Sequence, residues 1–131
     1  MVYSDILGHL LNEIKQGQKT NKVFVKARRS GFIFLVLNKL VREGFIYGFT
    51  PDGLYDVKVF LKYNSTGKPI IFNLERVSKS SRRCFIKVHQ LQNYLKPTDN
   101  SVFFLTTSKG ILTNKEALLL NIGGEILFKI N

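Results

Sequence analysis

A chain of 131 residues, 44% of them hydrophobic, has the material for one compact unit or for two small lobes. Its 20 lysines and arginines against 9 acidic residues leave a net charge of +11, an excess that calls for a polyanionic partner, nucleic acid before an anionic membrane. One cysteine excludes an internal disulfide framework and fits a reducing compartment.

No apolar run is long enough to cross a bilayer, and the basic residues are spread over many segments instead of lying on one amphipathic helix. The opening stretch to Gln18 carries Asp5 and Glu13 and no basic run before its apolar part, so it reads as neither a secretory signal nor a transit peptide. It predicts a helix over about Asp5–Gln16: Ser4 as N-cap, Ile6, Leu7, Leu10, Leu11 and Ile14 on one face, Gly17 as the left-handed stop. Lys22–Lys26 alternates as a short strand, and the basic link Arg28-Arg29 follows. Ser30 caps a second predicted helix, Phe32–Glu43, in which Ile33, Val36, Leu37, Leu40 and Val41 keep a 3.6-residue period until Gly44. Phe45–Thr50 reads as a strand, Pro51-Asp52-Gly53 as a turn, Leu54–Tyr63 as a strongly alternating strand and Pro69–Glu75 as another. The polar, basic run Arg76–Arg83 reads as a hinge. Beyond it come a strand at Cys84–Val88, a helix at His89–Leu95 halted by Pro97, and a strand at Val102–Thr107. A tight Ser108-Lys109-Gly110 turn leads to a helix opened by a Thr113–Glu116 capping box, and Gly123-Gly124 turns into a last strand, Glu125–Ile130. The fold class is α+β: an N-terminal α/β lobe (α-β-α-β-β-β) over residues 1–76, packed against a mainly β C-terminal lobe with short helices over 77–131.

Catalysis finds no support. His9 and His89 lie on separate predicted helices, Cys84 falls in an apolar strand, and one cysteine with two histidines at unrelated spacings makes no zinc site. The segment TTSKG lacks the upstream glycine of a nucleotide-binding loop. No catalytic, metal or cofactor site is expected, and no small-molecule substrate. Binding is better supported. Thr106, Thr107 and Ser108 place three hydroxyls at a strand end beside Lys109 and a glycine turn, the donors and acceptors that suit phosphate and ribose hydroxyls. Gly123 and Gly124 offer a point where a foreign backbone comes close, with Glu125 as an acceptor. Basic runs at Lys19, Lys22, Lys26, Arg28 and Arg29, and at Lys79, Arg82, Arg83 and Lys87, favour phosphate contacts over a merely solvated face.

The run TTSKGILTNKEALLLNIGGEILFKI resembles the signature of the small-subunit ribosomal protein eight family, which has an S-T-S-K-G turn, a T-[DN]-[RK]-E-A helix start and a terminal G-G-E-I strand. The opening D-I-x-x-x-L-x-x-x-I-K-x-G-Q at Asp5–Gln18, then L-x-x-E-G-F-I at Leu40–Ile46, L-K-Y at Leu61–Tyr63 and R-V-S at Arg76–Ser78 follow the family's order. The resemblance covers nearly the whole chain. It implies a structural protein, not an enzyme, that binds the central domain of small-subunit rRNA early in assembly, with neighbouring ribosomal proteins as partners and no membrane. Carried over by position, Thr106, Thr107, Ser108 and Lys109 contact the RNA, and Gly123, Gly124 and Glu125 flank the same groove. The family's N-terminal P-S-S-K segment, which binds a second rRNA region, is replaced by Arg28-Arg29-Ser30-Gly31. The usual S-[RK]-P-G-x-R-x-Y becomes Ser78 to Phe85, where Phe85 keeps a stacking face but loses a hydroxyl. These departures, with an AT-rich flavour in the composition, resemble organelle-encoded members. The expected location is the mitochondrial matrix, ahead of a plastid or the bacterial cytoplasm. The competing readings are a regulatory DNA- or mRNA-binding module, which wants a recognition helix studded with Arg, Asn or Gln, and a small enzyme acting on an anionic substrate.

Overall fold

The computed structural model describes residues 3–79, 81–94 and 101–131. They divide into two compact units, Met1–Phe72 and Asn73–Asn131.

The first unit opens with α1 (Tyr3–Lys19), whose Leu7, Leu10, Leu11 and Ile14 are buried at the predicted helical spacing. Ser4 stands inside the first turn instead of capping it. Gly17 does not end the helix. It is buried within it, where an added Cβ meets Val25 Cγ1 at 2.5 Å and Leu61 Cδ1 at 2.7 Å, and the left-handed residue is Asn21 at φ 57°. Close packing, not capping, therefore explains this glycine. β1 (Phe24–Arg28) follows, so Arg28 is the last strand residue and not part of a link.

α2 (Gly31–Arg42) is capped as the sequence predicts: the Ser30 hydroxyl accepts from the Ile33 amide at 3.2 Å. At its end Gly44, at φ 81°, donates to Val41 O and Phe45 donates to Leu40 O, the paired bonds of a Schellman stop. Gly31 has a helical position and nothing within 4 Å of an added Cβ. Gly31→Ala is therefore expected to raise stability by roughly 0.5 kcal/mol, read as a higher urea midpoint; a fall would contradict the free space seen there.

β2 (Ile46–Asp52) and β3 (Asp56–Leu61) complete an antiparallel sheet of order β1-β3-β2. The hairpin turns at residues 53–55 and not at Pro51, which pairs with Val57 inside the ladder. Pro51 lies on an edge strand, where a missing amide costs no ladder bond. The alternation expected for the strong strand holds over Asp56–Leu61: Val57, Val59 and Leu61 are buried with Val25, Ala27 and the apolar faces of the helices. The buried Gln18 closes this unit, accepting from the Ile71 amide at 3.1 Å.

Among the described residues the second unit carries five strands: β4 (Leu74–Arg76), β5 (Phe85–Ile86), β6 (Val102–Thr107), β7 (Gly110–Thr113) and β8 (Gly124–Ile130). All pairings are antiparallel, with β8 central between β6 on one side and β4 and β5 on the other, and β7 outside β6. β4 corrects the strand order expected for the N-terminal lobe. The predicted Pro69–Glu75 strand shrinks to Leu74–Arg76 and pairs with β8, leaving the first unit α-β-α-β-β. Local pattern reveals a strand but not its partner, which register along β8 decides. The run 76–83 is likewise tied into this unit: Val77 and Ser78 donate to Leu127 O, and Lys79 and Arg82 exchange two backbone bonds across a tight turn. Ser80 lies outside the described residues, as does Pro97, the predicted stop of the third helix.

That helix is α3 (Val88–Tyr94), and α4 (Asn114–Leu120) carries the full capping box between Thr113 and Glu116 before Asn121 ends it at φ 59°. A register shift between Phe104 and Leu105 lets consecutive residues of β6 bury on both sides. Phe104 stacks on Phe128 at 4.8 Å, while Leu105 joins Ile86, Leu91, Leu112, Ala117 and Ile126 in the core under α3 and α4.

Candidate nucleic-acid interface

β6 and β7 form the hairpin that presents TTSKG. Ser108 and Lys109 occupy its tip between Thr107 and Gly110, and Gly110 takes φ 105°, a conformation side-chain-bearing residues rarely adopt. The three hydroxyls do different work. Thr107 Oγ1 donates to Gly110 O at 2.9 Å and accepts from the Lys109 amide at 3.1 Å, so it shapes the turn. The exposed side chains of Ser108 and Lys109 have no partner among the described residues. Thr106, half-buried, stands one residue back on the strand.

Register then assembles the rest. Thr106 lies opposite Glu125 on β8, and Glu125 lies opposite Phe85 on β5, making one row across three strands. Phe85 is 70% exposed, so its ring is open to a stacking partner. Glu125 is buried, and Arg83 Nη1 sits 3.4 Å from each of its carboxylate oxygens. The expected free acceptor is thus already engaged: Glu125 anchors Arg83, whose side chain is one-third exposed, beside the row. Lys87 borders the same strand end, its Cα 3.0 Å from where a Cβ on Gly123 would stand.

The glycine pair has a different cause from the one its sequence suggests. An added Cβ on Gly123 meets Ile86 O at 2.4 Å, and one on Gly124 meets Thr106 O at 2.3 Å. The backbone that approaches closely is the protein's own. Neither glycine takes a positive φ, so the requirement is space and not conformation.

Two groups of candidate residues stand apart. Lys79 and Arg82 are exposed at the ends of their turn and make no contact with the row among the described residues. Arg28, Arg29 and Ser30 belong to the first unit. There Arg29 is held by structure: it donates to Gly53 O at 2.8 Å and lies 5.6 Å from the Phe34 ring centroid. Ser30 is spent on its cap, and Arg28 remains exposed opposite Asp56.

The histidines do not converge with other ligands. His9 faces Glu13 at 3.8 Å on an exposed helix face, and among the described residues no three His, Cys, Asp or Glu side chains group to hold a metal ion. Cys84 is half-buried beside Val77 O at 3.7 Å. Among the described residues no helix is long and apolar enough to cross a membrane.

The candidate residues brought together are thus a hydroxyl and an ammonium at a hairpin tip, a threonine, an anchored arginine, an open aromatic ring and a lysine, all at one end of a sheet. Two features escaped the sequence: β7, because only Ile111 and Leu112 separate the turn from the capping box, and the Arg83–Glu125 pair, which joins residues distant in the chain.

Known proteins match along the full chain. The small ribosomal subunit protein uS8 of Orientia tsutsugamushi (strain Ikeda) is 31% identical over 134 aligned residues, covering 99% of each chain. That of Granulibacter bethesdensis is 36% identical with the same coverage, and the uS8m protein of Acanthamoeba castellanii is 33% identical over 96% of this chain and 98% of its own. The family model described as Ribosomal protein S8 matches residues 5–131. With the capped helix, the hairpin and the terminal glycine strand standing where that signature requires them, the chain belongs to the ribosomal protein S8 family.

Proposed function

We propose that this protein is a structural constituent of the small ribosomal subunit that binds the central domain of its rRNA and supports assembly of the subunit. The observation that carries the reading is the row Thr106–Glu125–Phe85 beside the exposed Ser108 and Lys109 at the hairpin tip. Hydroxyls and an ammonium on a short, rigid hairpin match phosphate and ribose hydroxyls in the shallow groove of an RNA helix, and Phe85 supplies a stacking surface for a base that leaves the helix. Arg83, held by the Glu125 carboxylate, and Lys87 add charge to that contact, while Lys79 and Arg82 supply outlying attraction. Arg28 is the exposed residue of the first-unit set for a second RNA contact, with Arg29 and Ser30 shaping the backbone around it.

Ser108→Ala is expected to weaken binding to a central-domain rRNA helix by on the order of 1 kcal/mol, the worth of a neutral hydrogen bond. Lys109→Ala is expected to reduce the slope of log affinity against log salt by about 1. Filter binding over a salt series reads both. Parent-like affinity and slope in both variants would remove the hairpin tip from the interface.

The finer location is a mitochondrial ribosome. It is supported by the likeness to the uS8m protein of Acanthamoeba castellanii, whose name carries the mitochondrial suffix, and by the departures from the family pattern at Lys79–Phe85. Co-fractionation with mitochondrial ribosomal particles tests it, and recovery only with another class of ribosome contradicts it.

A further inference from the structure

The sheet of the first unit has helices on one face only. In an antiparallel sheet, directly opposed residues share a face, so the register writes out the other face row by row. Phe24, Phe60 and Gly48 form one row, Lys26, Lys58 and Thr50 the next, and Arg28, Asp56 and Asp52 the third. The alternate residues Val25, Ala27, Val57 and Val59 are the buried ones, so these rows point away from the core. Tyr47, 67% exposed, stands at the register shift beside Gly48.

Two properties of this face go together. Its aromatic rings are accessible: Phe24 is 39% exposed, its centroid is 6.1 Å from that of Phe60, and an added Cβ on neighbouring Gly48 meets nothing within 4 Å. Its cations are held in different ways. Lys26 is taken by Asp52 at 3.0 Å, and that hydrogen-bonded ammonium holds the Asp52 carboxyl below its ordinary value of 3.8. Arg28 stands opposite Asp56. Lys58 and Lys62 form no salt bridge among the described residues, Lys58 reaching Asp52 only through longer-range attraction, and both lie over rings, Lys58 4.7 Å from the Phe24 centroid and Lys62 5.8 Å from that of Tyr47. An apolar protein partner has no use for ammonium groups parked on the rings it covers. A strand of unpaired bases uses both, since bases stack on aromatic faces while phosphates draw the cations off them.

We propose that this open sheet face is a further RNA-binding surface, separate from the Arg28–Ser30 contact: a platform for two or three unpaired nucleotides, with bases stacking on Phe24, Phe60 and Tyr47 and phosphates held by Lys58 and Lys62. It rests on the RNA-binding reading above for the class of its partner, and on this sheet alone for its place. Stacking reads the flat face of any base, so the surface is tolerant of sequence, unlike a groove-shaped contact.

The test uses the full chain and two probes: a fluorescent oligouridylate of about twelve nucleotides, and the folded central-domain rRNA helix. Phe24→Leu with Phe60→Leu keeps apolar bulk and removes the π-faces. Gly48→Glu sets a carboxylate in open space beside Phe60, where it does not disturb packing. Both are expected to cost at least about tenfold in oligouridylate affinity and to leave the urea midpoint and the affinity for the folded helix unchanged. Ser108→Ala with Lys109→Ala is expected to do the reverse. Parent-like oligouridylate binding in both sheet variants overturns the proposal. So do photocrosslinks from a 4-thiouridine oligomer that fall only in the second unit, or a ribosomal protein covering the face in assembled subunits with RNA out of reach. Should the folded helix fail to bind the parent while the oligouridylate pattern holds, the hairpin interface falls and the sheet surface stands.

Discussion

Phe104→Ala is expected to destabilise the second unit by about 3–5 kcal/mol, enough to leave much of it unfolded at physiological temperature. Phe104 and Phe128 are both fully buried, directly paired across β6 and β8, and stacked at 4.8 Å with their planes 16° apart. Deleting one ring removes its transfer free energy and leaves a cavity against the other, which a sheet hydrogen-bonded on both sides has little freedom to close. A unit of this size buries a smaller share of its surface than a large domain, so its margin is narrow. Urea unfolding, read by amide exchange at β6 and β8, measures the loss. Phe104→Leu should fall well short of it, since most of the apolar volume is kept. A loss below about 1 kcal/mol for the alanine variant would mean that the core of this unit lies elsewhere.

Gly124→Ala comes next in size. The new Cβ would stand 2.3 Å from Thr106 O and 2.9 Å from Thr107 Cγ2, and the nearer of these is backbone. Relief requires β6 and β8 to separate where Thr106 pairs with Glu125, at the base of the hairpin and in the middle of the candidate row. The expected cost is about 3 kcal/mol, at the upper end for overpacking because no side chain can rotate away. RNA binding is expected to weaken together with stability, because the hairpin tip and Phe85 are both referred to this strand pair. Gly48→Ala, which meets nothing within 4 Å, serves as the control and should be nearly neutral. Denaturant midpoints of the two variants, compared with their RNA affinities, check the claim; a neutral Gly124→Ala would show that the strands are not this close in solution.

What could be read from the sequence follows the range of the interactions involved. Local devices were legible: the Ser30 cap, the Gly44 stop, the Thr113–Glu116 capping box and the alternation of Asp56–Leu61 each depend on a few neighbouring residues. Gly17 and Gly124 misled for one shared reason. A glycine signals freedom of conformation or lack of bulk, and only the partner element reveals which, Val25 and Leu61 in one case and Thr106 in the other. Leu74–Arg76 was recognisable as extended chain but not as a neighbour of β8, because pairing is decided by residues some fifty positions away. At the candidate site the hydroxyl turn was visible as a cluster, whereas the division of labour within it was not. That Thr107 is consumed by the turn and Ser108 is left open is a matter of hairpin geometry. Glu125 is similar: a glutamate beside a glycine turn in a basic chain reads as an acceptor until Arg83 is found against it.

The proposed role is retention of this chain in the small ribosomal subunit by RNA contacts at the hairpin tip. Its most direct test is gradient sedimentation of small subunits assembled with the parent or with Ser108→Ala/Lys109→Ala, washed at rising salt. The parent is expected to travel with the particle and the variant to be lost at lower salt, in line with the one fewer phosphate contact. Parent protein that stays at the top of the gradient, or a variant retained as firmly as the parent, would contradict it.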